Sequence, residues 1–479
     1  MANIHSSSDY DYNRRQLLKL AGKGVVLGAA GLSLPNLLFM REAAGLDLDP
    51  NVQLFDGFMQ IFFTGGPGIG QDIADYKNPA DNPTTSFNPI NMGVNDVYGN
   101  PMRVTDAIQN LAAKAQNDPM VSLAVVRSMR HNNNNHGTGQ EMNTSWWQGA
   151  LLNTMPAIAP TMAYYMQGKG VGIPAVLVNG DNGNNANNAR GNTRIPTALT
   201  VTVGGNQNNN PVVEALSLPQ GVDQARYSRR KAMLDQMNAR FLSANPDGLA
   251  KAYEKATKDA FDITMKGEAA AAFDLAGKPL LPGGNNGIRQ RATLAQNLLL
   301  AGVPYVSMGQ GGNDYHGNAN QSVTNNWQNN LDVYLPAMID NLKASGKRYL
   351  IQICGDFDRT PDGKGGFGAN DNGRDHWGEA QSHILIGVNQ PKLKTTAVGD
   401  TGPRGTGTVN TTRRNGQPGV LVDPFPMAAM GYVVYRGMGI NLFQPDGYYD
   451  IPTTLRDAPP VDRQIGLTDG VKLSNFLIA

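Results

Sequence analysis

Six histidines occur in this 479-residue chain, and five of them sit in short stretches that also carry glycine and acidic side chains. His131 and His136 frame four asparagines in "RSMRHNNNNHGTGQEMN", and Asp314 and His316 share "QGGNDYHGN". Asp375, His376 and His383 fall in "NGRDHWGEAQSH". Two more acidic stretches are "TGGPGIGQDIADYKNP", with Asp72 and Asp75, and "GDFDRTP", with Asp356, Asp358 and Arg359. Neutral imidazoles and carboxylates brought together from separate loops are what a divalent metal site needs. Each stretch alone has a plainer reading. D-x-H also describes a turn whose Asp caps a helix, R-D-H a surface ion pair with a satisfied His, the Asn run a solvated loop, and His383 the start of a strand. Their common placement after apolar runs favours a shared site.

Those apolar runs are the elements that must position the site. "GFMQIFF" (57–63), "VSLAVV" (121–126), "PAVLVN" (174–179), "VPYVSMG" (303–309), "RYLIQIC" (348–354) and "HILIGV" (383–388) have strand length and mostly lack polar alternation. Such runs mark a parallel sheet covered on both faces. "VTDAIQNLAAKAQ", "RQRATLAQNLLLAG" and "NLDVYLPAMIDNLKASG" carry apolar residues at helical spacing, two of them closing on Gly. Strand and helix in alternation predict an α/β domain, and in an open parallel sheet ligands sit beyond the carboxyl ends of the strands. Residues 222–276, rich in Ala, Lys and Glu, read as a helical insertion, and no internal repeat is present.

Composition narrows the function classes. Forty per cent hydrophobic and 16% charged residues describe a globular chain with a sizeable core, and a net charge of +1 gives no reason to expect a nucleic-acid partner. The single cysteine, Cys354, excludes an internal disulfide and ends an apolar run, as a buried strand residue would. Near the N-terminus, Arg14 and Arg15 precede Leu17, Leu18 and Lys19 and a mildly apolar Gly/Ala-rich run interrupted by Lys23. This resembles a twin-arginine (Tat) export signal. It predicts a signal segment over 1–45, no transmembrane span, passage through the Tat machinery, and a periplasmic or extracellular destination. One α/β domain is expected over 50–479.

The order "GGP…D…D…K", "RSM-H-x4-HGTG", "G-x-D-x-H-x-N", "G-D-F-D-R-T-P" and "GRDHW" resembles the Tat-exported bacterial family catalogued as domain-of-unknown-function family 1501. That family is grouped with the alkaline-phosphatase-like superfamily. The resemblance covers nearly all of the chain after the signal, and "RTP…GRDHW" is its most specific part. It implies an alkaline-phosphatase-like α/β fold with a central, mostly parallel sheet, and a divalent cation such as Zn, Mn or Ca on Asp and His ligands. Carried over, Asp72, Asp314, His316, Asp356 and His376 become the metal ligands. Asp356 stands where the family has Glu, and Asp375 supports His376. Arg359 would hold an anionic group bidentately, while Asp358, replacing a family Gly, adds negative charge nearby. Ile73 stands where the family reads Thr, so a covalent intermediate at that position is not expected.

The resemblance, taken with these residues, implies two functions. One is an exported metal-dependent hydrolase acting on a phosphate or sulfate ester, small or polymeric, with Arg359, His131 and His136 in catalytic roles. The other is a non-catalytic exported binding or envelope-assembly protein that keeps the fold and a bound metal.

Overall fold

Gly57–Phe63, a strand of seven buried residues, is the axis on which the computed structural model is built. The model describes residues 53–74, 87–130, 133–147, 156–166, 173–178, 201–203, parts of 225–240, 268–314, 316–359, 376–378, 381–399, 425–440 and 460–479. All of them belong to the unit Pro50–Ala479. The signal-like segment and most of the expected helical insertion lie outside the described residues.

Thirteen strands are described: β1 Gly57–Phe63, β2 Pro89–Asn95, β3 Pro101–Thr105, β4 Val121–Arg130, β5 Ala175–Val178, β6 Val201–Val203, β7 Tyr305–Gln310, β8 Tyr349–Gly355, β9 Asp358–Arg359, β10 His376–Trp377, β11 Gln381–Val388, β12 Thr396–Val398 and β13 Phe425–Pro426. Nine of them form the central sheet, in the order β12-β4-β11-β8-β1-β7-β5-β6 with β13 beside β4. β1 runs parallel to both β7 and β8, pairing Gln60 with Ser307 and with Gln352. β11 alone is reversed, antiparallel to β4 and β8. The architecture is therefore α/β with a mixed, mostly parallel sheet, as the continuous apolar runs predict. The reversal of β11 has a topological cause. The chain leaves β8 at its carboxyl end, forms the small β9–β10 pair, and re-enters the sheet from that same rim. His376 and the start of β11 are thereby delivered to the end of the sheet where the loops after β1 and β7 emerge.

Described helices are α1 Gln109–Asn117, α2 His136–Ser145, α3 Ile158–Tyr165, α4 Glu268–Phe273, α5 Asn286–Leu300, α6 Ala319–Val323, α7 Asp332–Ala344, α8 Met427–Gly437 and α9 Pro460–Leu477, with π-helical turns at Ile69–Ala74 and Thr324–Leu331. Alternation along β1 divides them between two faces. Met59, Ile61 and Phe63 join the main apolar cluster with Leu111, Leu294, Leu298, Leu335 and Ile339 from α1, α5 and α7. Phe63 stacks on Trp327 at 4.5 Å between ring centres. On the other face Phe58 meets Trp146 at 5.9 Å, which in turn meets Tyr435 of α8 at 5.0 Å. Each such aromatic side chain buries enough surface to contribute roughly 1.5–3 kcal/mol. Gln60, at the centre of that second face, is its buried polar exception.

Candidate metal centre

The Asn run supplies three different devices. Asn133 accepts the backbone N–H of Asn135 at 2.8 Å, closing an Asx turn. Asn134 accepts the Gly378 N–H through its side chain at 2.6 Å, and its carbonyl accepts from His376 Nδ1 at 2.7 Å. Asn135 caps α2 by accepting the Thr138 N–H at 3.2 Å. Within "HNNNNHG", residues 133–135 are therefore loop and His136 is the first residue of a helix, fixed in direction by the cap before it.

His136 Nδ1 lies 2.7 Å from Asp356 Oδ2. Asp356 is fully buried, and the same oxygen accepts the Gly65 N–H at 3.0 Å and Gln140 Nε2 at 3.3 Å. A carboxylate and a carbonyl can only accept here, so His136 and His376 each spend their Nδ1–H on protein oxygen. Their Nε2 lone pairs then face one small region. His376 Nε2 is 2.9 Å from His316 Nε2 and 3.9 Å from Asp314 Oδ1. His316 Nε2 is 3.2 Å from the same oxygen, and His136 Nε2 is 3.8 Å from Asp314 Oδ2. One ligand atom from each of His136, Asp314, His316 and His376 lies within 4.8 Å of all the others.

Arg359 clamps this group from behind. It is completely buried, and its Nε donates to the Gly66 carbonyl at 2.8 Å. Its Nη2 donates both to the Gly65 carbonyl and to Asp314 Oδ1. The loops after β1 and β7 are drawn together, and Gly65 permits it. At φ +104° a Cβ there would stand 2.5 Å from the Asp314 backbone nitrogen. Burial pushes the Asp314 carboxyl up, but the Arg359 bond and charge, with His316 and His136, hold it below the usual carboxylate range. Burial also pushes His376 down, joined by the Arg359, His136 and His316 charges and opposed by its bond to Asn134. Both shifts favour the forms that ligate a cation, the carboxylate and the neutral imidazole. Phe357 floors the group, with ring centres 4.8 Å from His136 and 4.3 Å from His376.

Of the residues expected at the site, Asp314, His316 and His376 come together, and His136 joins them. Asp356 stands one residue back, behind His136. Asp72 is buried in the π-helical turn Ile69–Ala74, where its Oδ2 would be 2.6 Å from a Cβ on Gly68. It is not among the four converging residues. Asp358, also fully buried, accepts from the Gly70 N–H at 3.2 Å and the Ser382 N–H at 2.8 Å, so it ties the turn to β11. His131 and Asp375 lie outside the described residues. Sequence reasoning missed Asn134, Gln140 and Phe357. The cap pattern N-H-G-T was the available signal for α2, and with it for the four-residue spacing that puts Gln140 on the same helix face as His136.

Comparison with known proteins adds a family. A family model described as "Protein of unknown function (DUF1501)" matches residues 60–409. No curated protein matches the sequence. Among solved structures, the chain is similar to the phosphoglycerol transferase GacH of Streptococcus pyogenes in complex with sn-glycerol-1-phosphate. That likeness has 10% identity and a TM-score of 0.38, covering 92% of this chain and 94% of that one. It is also similar to the C-terminal periplasmic domain of EcEptC from Escherichia coli in complex with Zn. There identity is 8% and the TM-score 0.31, covering 71% of this chain and 74% of that one. Neither likeness carries an inference of activity.

Proposed function

The chain belongs to the DUF1501 family, whose description assigns no reaction, and we propose that it is a divalent-cation-dependent hydrolase of phosphate or sulfate esters exported by the Tat route. The geometry of the four converging residues supports the cation, the resemblance of its motifs to the alkaline-phosphatase-like superfamily supports the ester class, and Arg14 and Arg15 support the route. One observation carries the proposal. His136 and His376 have their Nδ1 atoms engaged by Asp356 and Asn134, which leaves two Nε2 lone pairs converging with His316 and the Asp314 carboxylate. These donors fit a cation. Three imidazoles and one carboxylate suit Zn or Mn far better than Ca, which takes oxygen ligands. Such an ion would polarise the ester and make a water nucleophilic near neutral pH.

The roles expected from the sequence change in three respects. His136 becomes a ligand rather than a proton carrier, and Asp356 becomes the carboxylate that orients it. Asp72, expected as a ligand, stands apart from the four converging residues, and Asp358, expected beside the ligands, ties the loop after β1 to β11. Arg359 holds Asp314 and that loop rather than a substrate anion. Ile73 is a core residue and offers no nucleophile, and in this reading the attacking group is water. Water gives up a proton as it adds to phosphorus or sulfur, the ester bond to the leaving oxygen breaks, and that oxygen takes a proton and departs as the alcohol. His131 is the candidate to deliver it, with Asp375 beside His376.

Elemental analysis of purified protein is the direct test, followed by turnover of chromogenic phosphate monoesters, diesters and sulfate esters. Near-stoichiometric Zn or Mn and activity lost in Asp314→Ala are expected. Metal-free protein after incubation with both ions, or turnover that survives Asp314→Ala, would overturn the proposal. The commitment of Arg359 to Gly65, Gly66 and Asp314 favours the second reading, a binding protein with a retained cation. Stoichiometric metal without turnover of any ester would select it.

A further inference from the structure

Three polar side chains interrupt three neighbouring buried strands: Gln60 on β1, its register partner Gln352 on β8, and His383 on β11, two residues before Leu385, the β11 partner of Gln352. All are fully buried. An unpartnered buried amide costs about 1–3 kcal/mol, so such a group persists only where it is satisfied. Here the bonds close into a ring. Tyr305 Oη donates to Gln60 Oε1 at 3.2 Å. Gln60 Nε2 donates to Gln352 Oε1 at 3.2 Å and to the Asn143 carbonyl at 3.1 Å. Gln352 Nε2 is 3.0 Å from His383 Nδ1, and His383 Nε2 is 3.1 Å from Asn143 Oδ1. Asn143 Nδ2 spends its two hydrogens on the carbonyls of Gly139, at 2.9 Å, and Asp356, at 3.3 Å. With Gln352 donating, His383 is in its Nε2–H tautomer, and every member of the ring has a consistent role as donor or acceptor.

We infer that this ring is a positioning device for the metal centre, with His383 and Asn143 as its positioning residues. Asn143 lies on α2, two turns beyond His136, and is held from the sheet at both its backbone and its side chain. It also grips the backbone of Asp356, whose carboxylate orients His136. The ring therefore fixes together the helix that presents the imidazole and the strand end that presents its partner. Apolar side chains would hold the helix on the sheet as well, but without setting its rotation. A closed hydrogen-bond ring admits one arrangement. The inference deepens the proposed function and rests on it for its metal readout.

The test uses the full chain with Co2+ as probe. Affinity is measured by chelator competition and ligand geometry by the visible d–d spectrum, with circular dichroism to confirm folding. His383→Leu is expected to weaken Co2+ binding about 10–100-fold and alter the spectrum, and His383→Gln, which can still bridge Gln352 and Asn143, to restore most of it. On a His136→Ala background His383→Leu should add no further loss, because its effect passes through His136. Unchanged affinity in His383→Leu, or a loss that adds fully to that of His136→Ala, overturns the inference. Gln60→Met serves the same cycle should His383→Leu not fold. If the wild-type chain takes up no Co2+, the metal proposal fails while the positioning claim is still read by histidine-selective 15N NMR. The Nδ1–H signal of His136 should move in His383→Leu and return in His383→Gln, and an unmoved signal overturns the claim.

Discussion

At the scale of single residues, the centre depends on which nitrogen of each imidazole carries the proton. Asp356 settles this for His136, so its role separates from that of a true ligand. Asp356→Asn keeps the size and can still accept a bond, but it no longer favours a proton on Nδ1 through charge. Metal affinity should fall about 10–100-fold, measured by chelator competition, and should fall further in Asp314→Ala. Equal losses in the two variants would place Asp356 in the coordination sphere, as the sequence resemblance implies. This residue also shows where sequence reading stops. That His and Asp types gather after the strands was legible from their spacing against the apolar runs. Which carboxylate ligates and which stands behind an imidazole was not, because Asp314 and Asp356 differ only in burial and neighbours. Asp314 has half its side chain exposed, 51%, against none for Asp356.

At the scale of elements, close approach of backbones decides how well the loops are registered. Gly139 on α2 faces the Asp356 carbonyl, and a Cβ there would sit 2.5 Å from that oxygen. Gly139→Ala must push α2 away from β8, so a loss of about 1–3 kcal/mol is expected from overpacking, read as a lower denaturation midpoint together with weaker metal binding. A second element effect lies away from the site. Asp332, at the start of α7, accepts the Asn110 and Leu111 N–H groups at 2.8 Å each and so caps α1 from a neighbouring helix. Burial pushes its carboxyl up to about 7, against the pull of those bonds. The folded chain therefore keeps a proton that the unfolded chain releases near its ordinary 3.8. The contribution of Asp332 to stability is highest below that value and declines as pH rises to about 7, by at most about 1.4 kcal/mol per pH unit. Asp332→Asn should flatten that slope in denaturant titrations at pH 4, 5.5 and 7, and an unchanged slope would assign it to other groups. The strands β1, β4, β5, β7, β8 and β11 were readable from their continuous apolar runs, and the helices α1, α5 and α7 from periodicity. The reversal of β11 was not, because an antiparallel strand buried on both faces looks the same in sequence as its parallel neighbours. The helix α2 was hidden by its polar composition, since only its cap and not an apolar stripe marks it.

At the scale of the whole molecule, the centre exists only when the sheet is complete. Its four converging residues lie between positions 136 and 376 of the chain, and the clamp of Arg359 on Gly65 reaches back to the loop after the first strand. An unfolded chain would hold these donors too loosely to select Zn or Mn over competing ions, so a cation is best acquired after folding. Under the proposed function that requirement suits a route that carries folded proteins, and the paired Arg14 and Arg15 ahead of a mildly apolar run resemble the signal for one. Among the described residues, no helix is long and apolar enough to cross a membrane, and the signal-like segment lies outside them. Full-length chain expressed in a bacterium with a twin-arginine translocase is expected to appear in the periplasmic fraction, shortened by its leader and carrying metal. Replacing both residues, Arg14→Lys with Arg15→Lys, should leave the longer chain in the cytoplasm, folded and still able to bind Co2+. Equal export of the doubly substituted chain would show that the arginine pair is an ordinary basic stretch, and the link between folding, metal loading and export would fall with it.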